Sequence, residues 1–256
     1  MISIIVGFVF GFFASYFAQW PTPPRQLWNR WRFRRFRERR CYTLPGSKTY
    51  IIPACSGDTA SPYVSANALG CVKAITGMLQ QSGYSEGHDF DLVFPNPSSD
   101  NVAEDIRTEN LILVCGPRRN QFLASLLDEF PDLMRDIVFD SDGPAFVYRG
   151  KRYTAERGRD WGLVLVKKNP YNLRRKLVIL FGLTSVGTKG AGLFYARDGS
   201  ASDRMRAADI LESTHGEIEI LLSVEHTEDR QTVRRMQPLV LTTTSRQLSP
   251  VAPGTS

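Results

Sequence analysis

Cysteine and histidine are scarce in this 256-residue chain, which holds four Cys (Cys41, Cys55, Cys71, Cys115) and three His (His88, His215, His226). The cysteines form no CxxC pair and the histidines no HExxH, which argues against a disulfide scaffold and a zinc site and favours a reducing compartment. The expected metal is therefore none, and no cofactor is specified. Internal repeats are lacking as well, and the composition excludes a fibrous repeat. Hydrophobic residues make up 42% and charged residues 23%, so most of the chain is globular and long enough for one large domain or two small ones.

Charge of one sign is also lacking once a single block is set aside. The formal net charge is +6, but the segment from Arg25 to Arg40 alone holds eight Arg and one Glu. The remainder is close to neutral, so the basic pI does not describe a nucleic-acid-binding body.

One long uncharged run is present, from Ile2 to Trp20. A helix of that length reaches across the ~30 Å hydrocarbon layer, and the sequence predicts a single transmembrane helix over residues 1–20. A buried helix seldom stays apolar on every face. A cleaved signal would want a basic start and small residues at its end, where Tyr16, Phe17 and Trp20 stand. All of the flanking Arg lies C-terminal to the run, which predicts an outside N-terminus and a cytoplasmic body at the inner (plasma) membrane. Residues 21–41 read as a Pro/Arg/aromatic juxtamembrane linker, in which Trp28, Arg30, Trp31, Arg32, Arg34 and Arg35 suit an anionic lipid surface. Arg interleaved with rings can also pair phosphates and stack bases, but next to a membrane helix the lipid partner suffices and nucleic acid is disfavoured.

From residue 42 to 244 short apolar segments alternate with helical ones, and residues 245–256 read as a disordered tail. Strands are expected at Thr49 to Ala54, Phe90 to Phe94, Asn110 to Cys115, Ile137 to Phe139, Trp161 to Val166, Lys176 to Leu183, Glu217 to Val224 and Leu239 to Thr243. Ala145 to Tyr148 and Lys151 to Thr154 form a hairpin around Arg149-Gly150. Helices are expected from Ser61-Pro62 to Gly83, after the cap Asn120, from Gly187 to Ala196 and from Ser202 to Leu211. This alternation predicts a Rossmann-like α/β fold, a mostly parallel three-layer sheet with a late antiparallel hairpin portion.

Ligands of open α/β sheets bind at the carboxyl ends of strands. Two loops there bear chemistry. Cys115-Gly116-Pro117-Arg118-Arg119-Asn120 joins the most apolar strand to a capped helix and gathers N–H groups with two guanidinium groups, as a phosphate or carboxylate requires. The same residues also suit a plain turn with solvated Arg. Gly187, Thr188 and Lys189 open the other helix, within a segment whose Gly190 and Gly192 serve either an anion or close helix packing. Neither a Walker A nor a dinucleotide signature is complete, because Thr188 precedes Lys189 and Tyr195 stands where a third Gly belongs.

Catalytic patterns are incomplete. Ser185 occupies an elbow-like turn without the first Gly, and its partner would have to be His215 or His226. Glu156, Asp160, Asp140 and Asp142 offer carboxylates for proton transfer or for plain solvation, and Asn169-Pro170-Tyr171-Asn172 offers a ring and amides or an ordinary turn. The expected function is a membrane-anchored domain binding a nucleotide-like or phosphorylated ligand as sensor or effector. The alternatives are a membrane-bound hydrolase on a nucleotide-like substrate and a noncatalytic scaffold. A homo-oligomer is compatible with the sequence.

Overall fold

The computed structural model describes residues 47–55, 64–95, 102–140, 145–200, 207, 211, 216–230 and 232–244, the last five through their backbone. Ten strands and four helices lie among them. The strands are β1 (Thr49–Pro53), β2 (Phe90–Leu92), β3 (Asn110–Val114), β4 (Ile137–Phe139), β5 (Ala145–Tyr148), β6 (Lys151–Thr154), β7 (Arg159–Asn169), β8 (Asn172–Gly182), β9 (Glu217–His226) and β10 (Val233–Thr244). The helices are α1 (Ala66–Gln81), α2 (Glu104–Arg107), α3 (Gln121–Glu129) and α4 (Ser185–Ala196), and a 3-10 turn, Pro131–Met134, follows α3.

Seven strands make one sheet in the order β10-β9-β7-β8-β3-β1-β2, and β4-β5-β6 make a second. The expectation of a mostly parallel Rossmann-like sheet is corrected here. β2, β1, β3 and β8 run parallel, whereas β8, β7, β9 and β10 pair antiparallel, so the sheet is mixed half and half. The physical reason lies in Pro170-Tyr171. These two residues alone separate β7 from β8, and a connection that short closes a hairpin but cannot cross over to a parallel neighbour. Lys167 to Arg175 therefore lie largely within two long paired strands instead of a crossover loop.

Both faces of the large sheet are covered, which explains runs such as Leu163–Val166 and Leu177–Phe181 that lack polar alternation whatever their direction. On one face α1 and α4 pack over Ile51, Ile112, Val164, Val178 and Ile220. On the other, α3, the 3-10 turn and the small sheet cover Ile52, Leu113, Leu165, Ile179 and Phe181. α1 starts at the cap Ser65, whose Oγ accepts from Ala68 N at 3.2 Å, and the proposed start at Ser61-Pro62 lies outside the described residues. Arg149 and Gly150 carry φ of 51° and 78°, the two positive values that a tight hairpin turn demands.

The single-pass anchor is also corrected. Among the described residues no helix is long and apolar enough to cross a membrane. The longest, α1, has 16 residues, or about 24 Å of rise against a ~30 Å layer. Residues 2–20, on which the expectation rested, lie outside the described residues, as do the linker 21–41 and the tail 245–256. The inner-membrane localisation rested on that helix and falls with it.

At the edge opposite the carboxyl ends of β1 and β3, the Asn169-Pro170-Tyr171-Asn172 turn acts as a clamp. The fully buried Asn169 donates through Nδ2 to Arg107 O and Glu109 O, both at 2.7 Å, and Tyr171 Oη donates to Glu129 Oε2 at 2.6 Å. The amides of Asn169 and Asn172 are spent on backbone carbonyls, and the Tyr171 ring meets Phe130 edge-on at 5.2 Å. Replacing Asn169 with Ala is expected to cost about 2–3 kcal/mol, because two buried carbonyls lose their donors. A urea midpoint unchanged from the parent would contradict the clamp.

Candidate functional site

β3 and β8 are parallel neighbours, with Val114 beside Leu180, so the loops that leave them emerge at the same edge of the sheet. β1 ends there too, and the antiparallel partners bring the start of β7 and the end of β9 to it. The N-termini of α1, α3 and α4 therefore gather at one edge. The helices then diverge: α1 and α4 go to one face, α3 to the other. Arg118 and Arg119 consequently stand on the α3 side of the edge, and Thr188 and Lys189 on the α4 side.

In the first loop Gly116 packs beside Phe181 and Phe139, and Arg118 and Arg119 are exposed. Asn120, by contrast, is buried and spent on structure. Its Nδ2 donates to Ile52 O at 3.1 Å and Val114 O at 3.2 Å, while its Oδ1 accepts from Leu123 N at 3.1 Å to cap α3. One side chain thus ties β1, β3 and α3 together. Asn120→Ala is expected to lower stability by about 2–4 kcal/mol, through loss of a buried cap and of two side-chain hydrogen bonds to strand carbonyls, read from the shift in chemical denaturation midpoint.

In the second loop an internal carboxylate takes the place that an external anion would fill. Asp160, fully buried at the start of β7, accepts through Oδ2 from Gly187 N at 2.7 Å, Thr184 N at 3.2 Å and Thr184 Oγ1 at 2.6 Å, and through Oδ1 from Trp161 N at 2.7 Å. A negative charge at the first turn of α4 satisfies the helix's free N–H groups and its positive end. Thr188 is buried as well, and its Oγ1 accepts from Gly182 N at 3.0 Å. The glycines serve close packing: a Cβ on Gly187 would lie 2.3 Å from Trp161 O, on Gly190 2.6 Å from Val224 Cγ2, and on Gly192 2.2 Å from Cys71 Sγ. Lys189, half-buried, runs along α1, its Cε 3.2 Å from where a Cβ on Gly70 would stand. The two loops share an edge, but Gly187 and Thr188 look inward to the fold, which separates them from Arg118 and Arg119.

The catalytic patterns do not assemble. Ser185 is the exposed first residue of α4, and its Oγ accepts from Asn67 Nδ2 at 3.0 Å, which also donates to Arg230 O at 3.2 Å. His226 Nδ1 lies 2.7 Å from Thr227 O, exposed His88 stands beside Asp89, and His215 is outside the described residues. The four carboxylates scatter: Asp160 is spent on α4, Asp140 pairs with Arg152, Glu156 lies 4.0 Å from Arg159, and Asp142 is outside the described residues. Among the described residues no group of three or more His, Cys, Asp or Glu is arranged to hold a metal ion. Trp28, Arg30, Trp31, Arg32, Arg34 and Arg35 also lie outside them.

Sequence reasoning missed two features of this edge. Asn67 joins the starts of α1 and α4, and Cys115 adopts φ 81°, a left-handed backbone that L-residues seldom take. Burial pushes the Cys115 thiol up to about 11, although the Ala54 backbone and the Arg119 charge oppose that rise. Burial likewise raises Cys71 well above the usual thiol value and raises Cys55. A positive φ at a non-glycine leaves no sequence signature, and no local pattern couples Asn67 to a helix 118 residues away. Compared with known proteins, the chain matches no family model and no curated protein.

Proposed function

We propose that this chain is a ligand-binding α/β domain that holds a phosphorylated, nucleotide-like small molecule at the carboxyl edge of β1 and β3, in the manner of a sensor or effector. One observation carries the reading: β1 and β3 are adjacent parallel strands whose outgoing helices, α1 and α3, pack on opposite faces. Connections that part in this way leave a crevice at the carboxyl ends of the strands, the position at which open α/β sheets take their ligands. Arg118 and Arg119 stand exposed on its rim, where two guanidinium groups supply the charge and the forked donors that a phosphate accepts. The hydrolase alternative has less to draw on, because Asp160 is sealed in the fold and Asp140 is paired with Arg152.

The test is a thermal-shift and calorimetric screen of the full chain against nucleoside mono-, di- and triphosphates and inorganic phosphate. Charge-assisted contacts contribute about 1.5–3 kcal/mol each, so Arg118→Ala and Arg119→Ala should each weaken a binder about ten- to a hundredfold while leaving the fold intact. Binding that survives the double substitution would place the anion elsewhere. No binding by any phosphate compound would remove the reading altogether.

A further inference from the structure

We propose that Cys55 and Cys115 form a disulfide across the crevice between β1 and β3 when the protein meets a peroxide. The register of the two strands sets the distance. Pro53 lies beside Val114, so Ala54 is level with Cys115 and Cys55 is one residue further along. With strands about 4.8 Å apart and about 3.3 Å of rise per residue, the two Cα atoms are roughly 6 Å apart, inside the span of about 4.4–6.8 Å that a disulfide bridges.

Side-chain direction agrees. Ile51 faces α1 and Ile52 faces away, so the same alternation carried two residues past the end of β1 would bring Cys55 to the α1 face. Val114 also faces α1, and a regular strand would turn Cys115 to the other side. Its φ of 81° reverses that, and Cys115 packs with the α1-side core. Cys55 is close enough to Cys115 to raise its thiol further, as Cys115 in turn raises Cys71. Cys71 is the rival partner, but it is fully buried, with its sulfur against Gly192.

The chemistry balances without further reactants. The Cys55 thiolate attacks one oxygen of hydrogen peroxide, the O–O bond breaks, and hydroxide leaves to become water. The Cys115 thiolate then attacks the resulting sulfenic sulfur and expels hydroxide, which takes up the proton that thiol released to become a second water. Two thiols are oxidised to one disulfide as one peroxide is reduced to two waters. Because the thiolate is the nucleophile and burial raises both thiols, the reaction should run faster in alkaline than in neutral buffer. The bond would tie together the residues that follow β1 and β3, the two walls of the crevice.

The full-length reduced chain is treated with hydrogen peroxide under native conditions, its remaining thiols are alkylated in denaturant, and it is cut with chymotrypsin. Cleavage after Tyr63 separates Cys55 from Cys71. The expected product is a peptide pair joined through Cys55 and Cys115, two hydrogens lighter than the reduced pair and parted by reductant. It should persist in Cys71→Ser and vanish in Cys55→Ser. A link through Cys71 or Cys41, a link between chains, or full alkylation of Cys55 and Cys115 after peroxide would overturn the proposal. These readouts involve no phosphate ligand, so the disulfide and the ligand site stand or fall separately.

Discussion

Asp160→Ala is expected to remove about 3–5 kcal/mol of stability, since several buried donors lose their acceptor at roughly 1–3 kcal/mol each. Against a typical total of about 5–15 kcal/mol, that is a loss large enough to shift a urea midpoint plainly. The donors concerned are Gly187 N, Thr184 N, Thr184 Oγ1 and Trp161 N, so the substitution detaches β7 from the first turn of α4. Asp160→Asn keeps the volume but gives up the charge at the positive end of α4, and should fall between parent and Ala. If the carboxylate occupies a natural anion position, phosphate or sulfate should restore part of the stability of Asp160→Ala and do little for the parent. An Ala variant within about 1 kcal/mol of the parent would show that the carboxylate is not what holds α4 to β7.

Gly187→Ala is expected to cost about 2–4 kcal/mol, although Ala is favoured over Gly within a helix by about 1 kcal/mol. The added methyl would stand 2.3 Å from Trp161 O and 2.8 Å from Asp160 Oδ2, and the first of these is backbone held within paired strands. Neither atom can yield without breaking the Asp160 clamp or the β7 pairing. Gly77 supplies the opposite case on α1, where a Cβ meets nothing within 4 Å. Gly77→Ala should therefore stabilise by about 0.5–1 kcal/mol through helix propensity and a less flexible unfolded chain. Denaturation midpoints that move in the same direction for both variants would contradict the packing account of these glycines.

The elements themselves were legible along the chain. Apolar runs bounded by Gly, Pro and Asn marked β1, β3 and the β5–β6 hairpin, and Asn120 marked the start of α3, because each depends on interactions within a few residues. The choice left open for Gly190 and Gly192, anion or close packing, was decided by Val224 and Cys71, which approach from distant parts of the chain. Asp160 read as one surface carboxylate among four, since nothing near it in sequence announces a helix N-terminus 27 residues on.

By itself, then, the sequence determined what local chemistry can specify: which segments extend or coil, where they are capped, and that both faces of the sheet are covered. Strand direction was decided only in three dimensions. A covered strand is apolar in either orientation, and the difference between a crossover and a hairpin came down to whether residues beside Pro170-Tyr171 extended the strands. The tertiary structure likewise sorted the polar residues of the carboxyl edge. It turned Asn120, Thr188 and Asp160 inward to satisfy buried backbone and left Arg118 and Arg119 on the rim. Whether a polar group holds the fold or meets a ligand depends on which donors and acceptors the packing leaves beside it, and those partners lie far away along the chain.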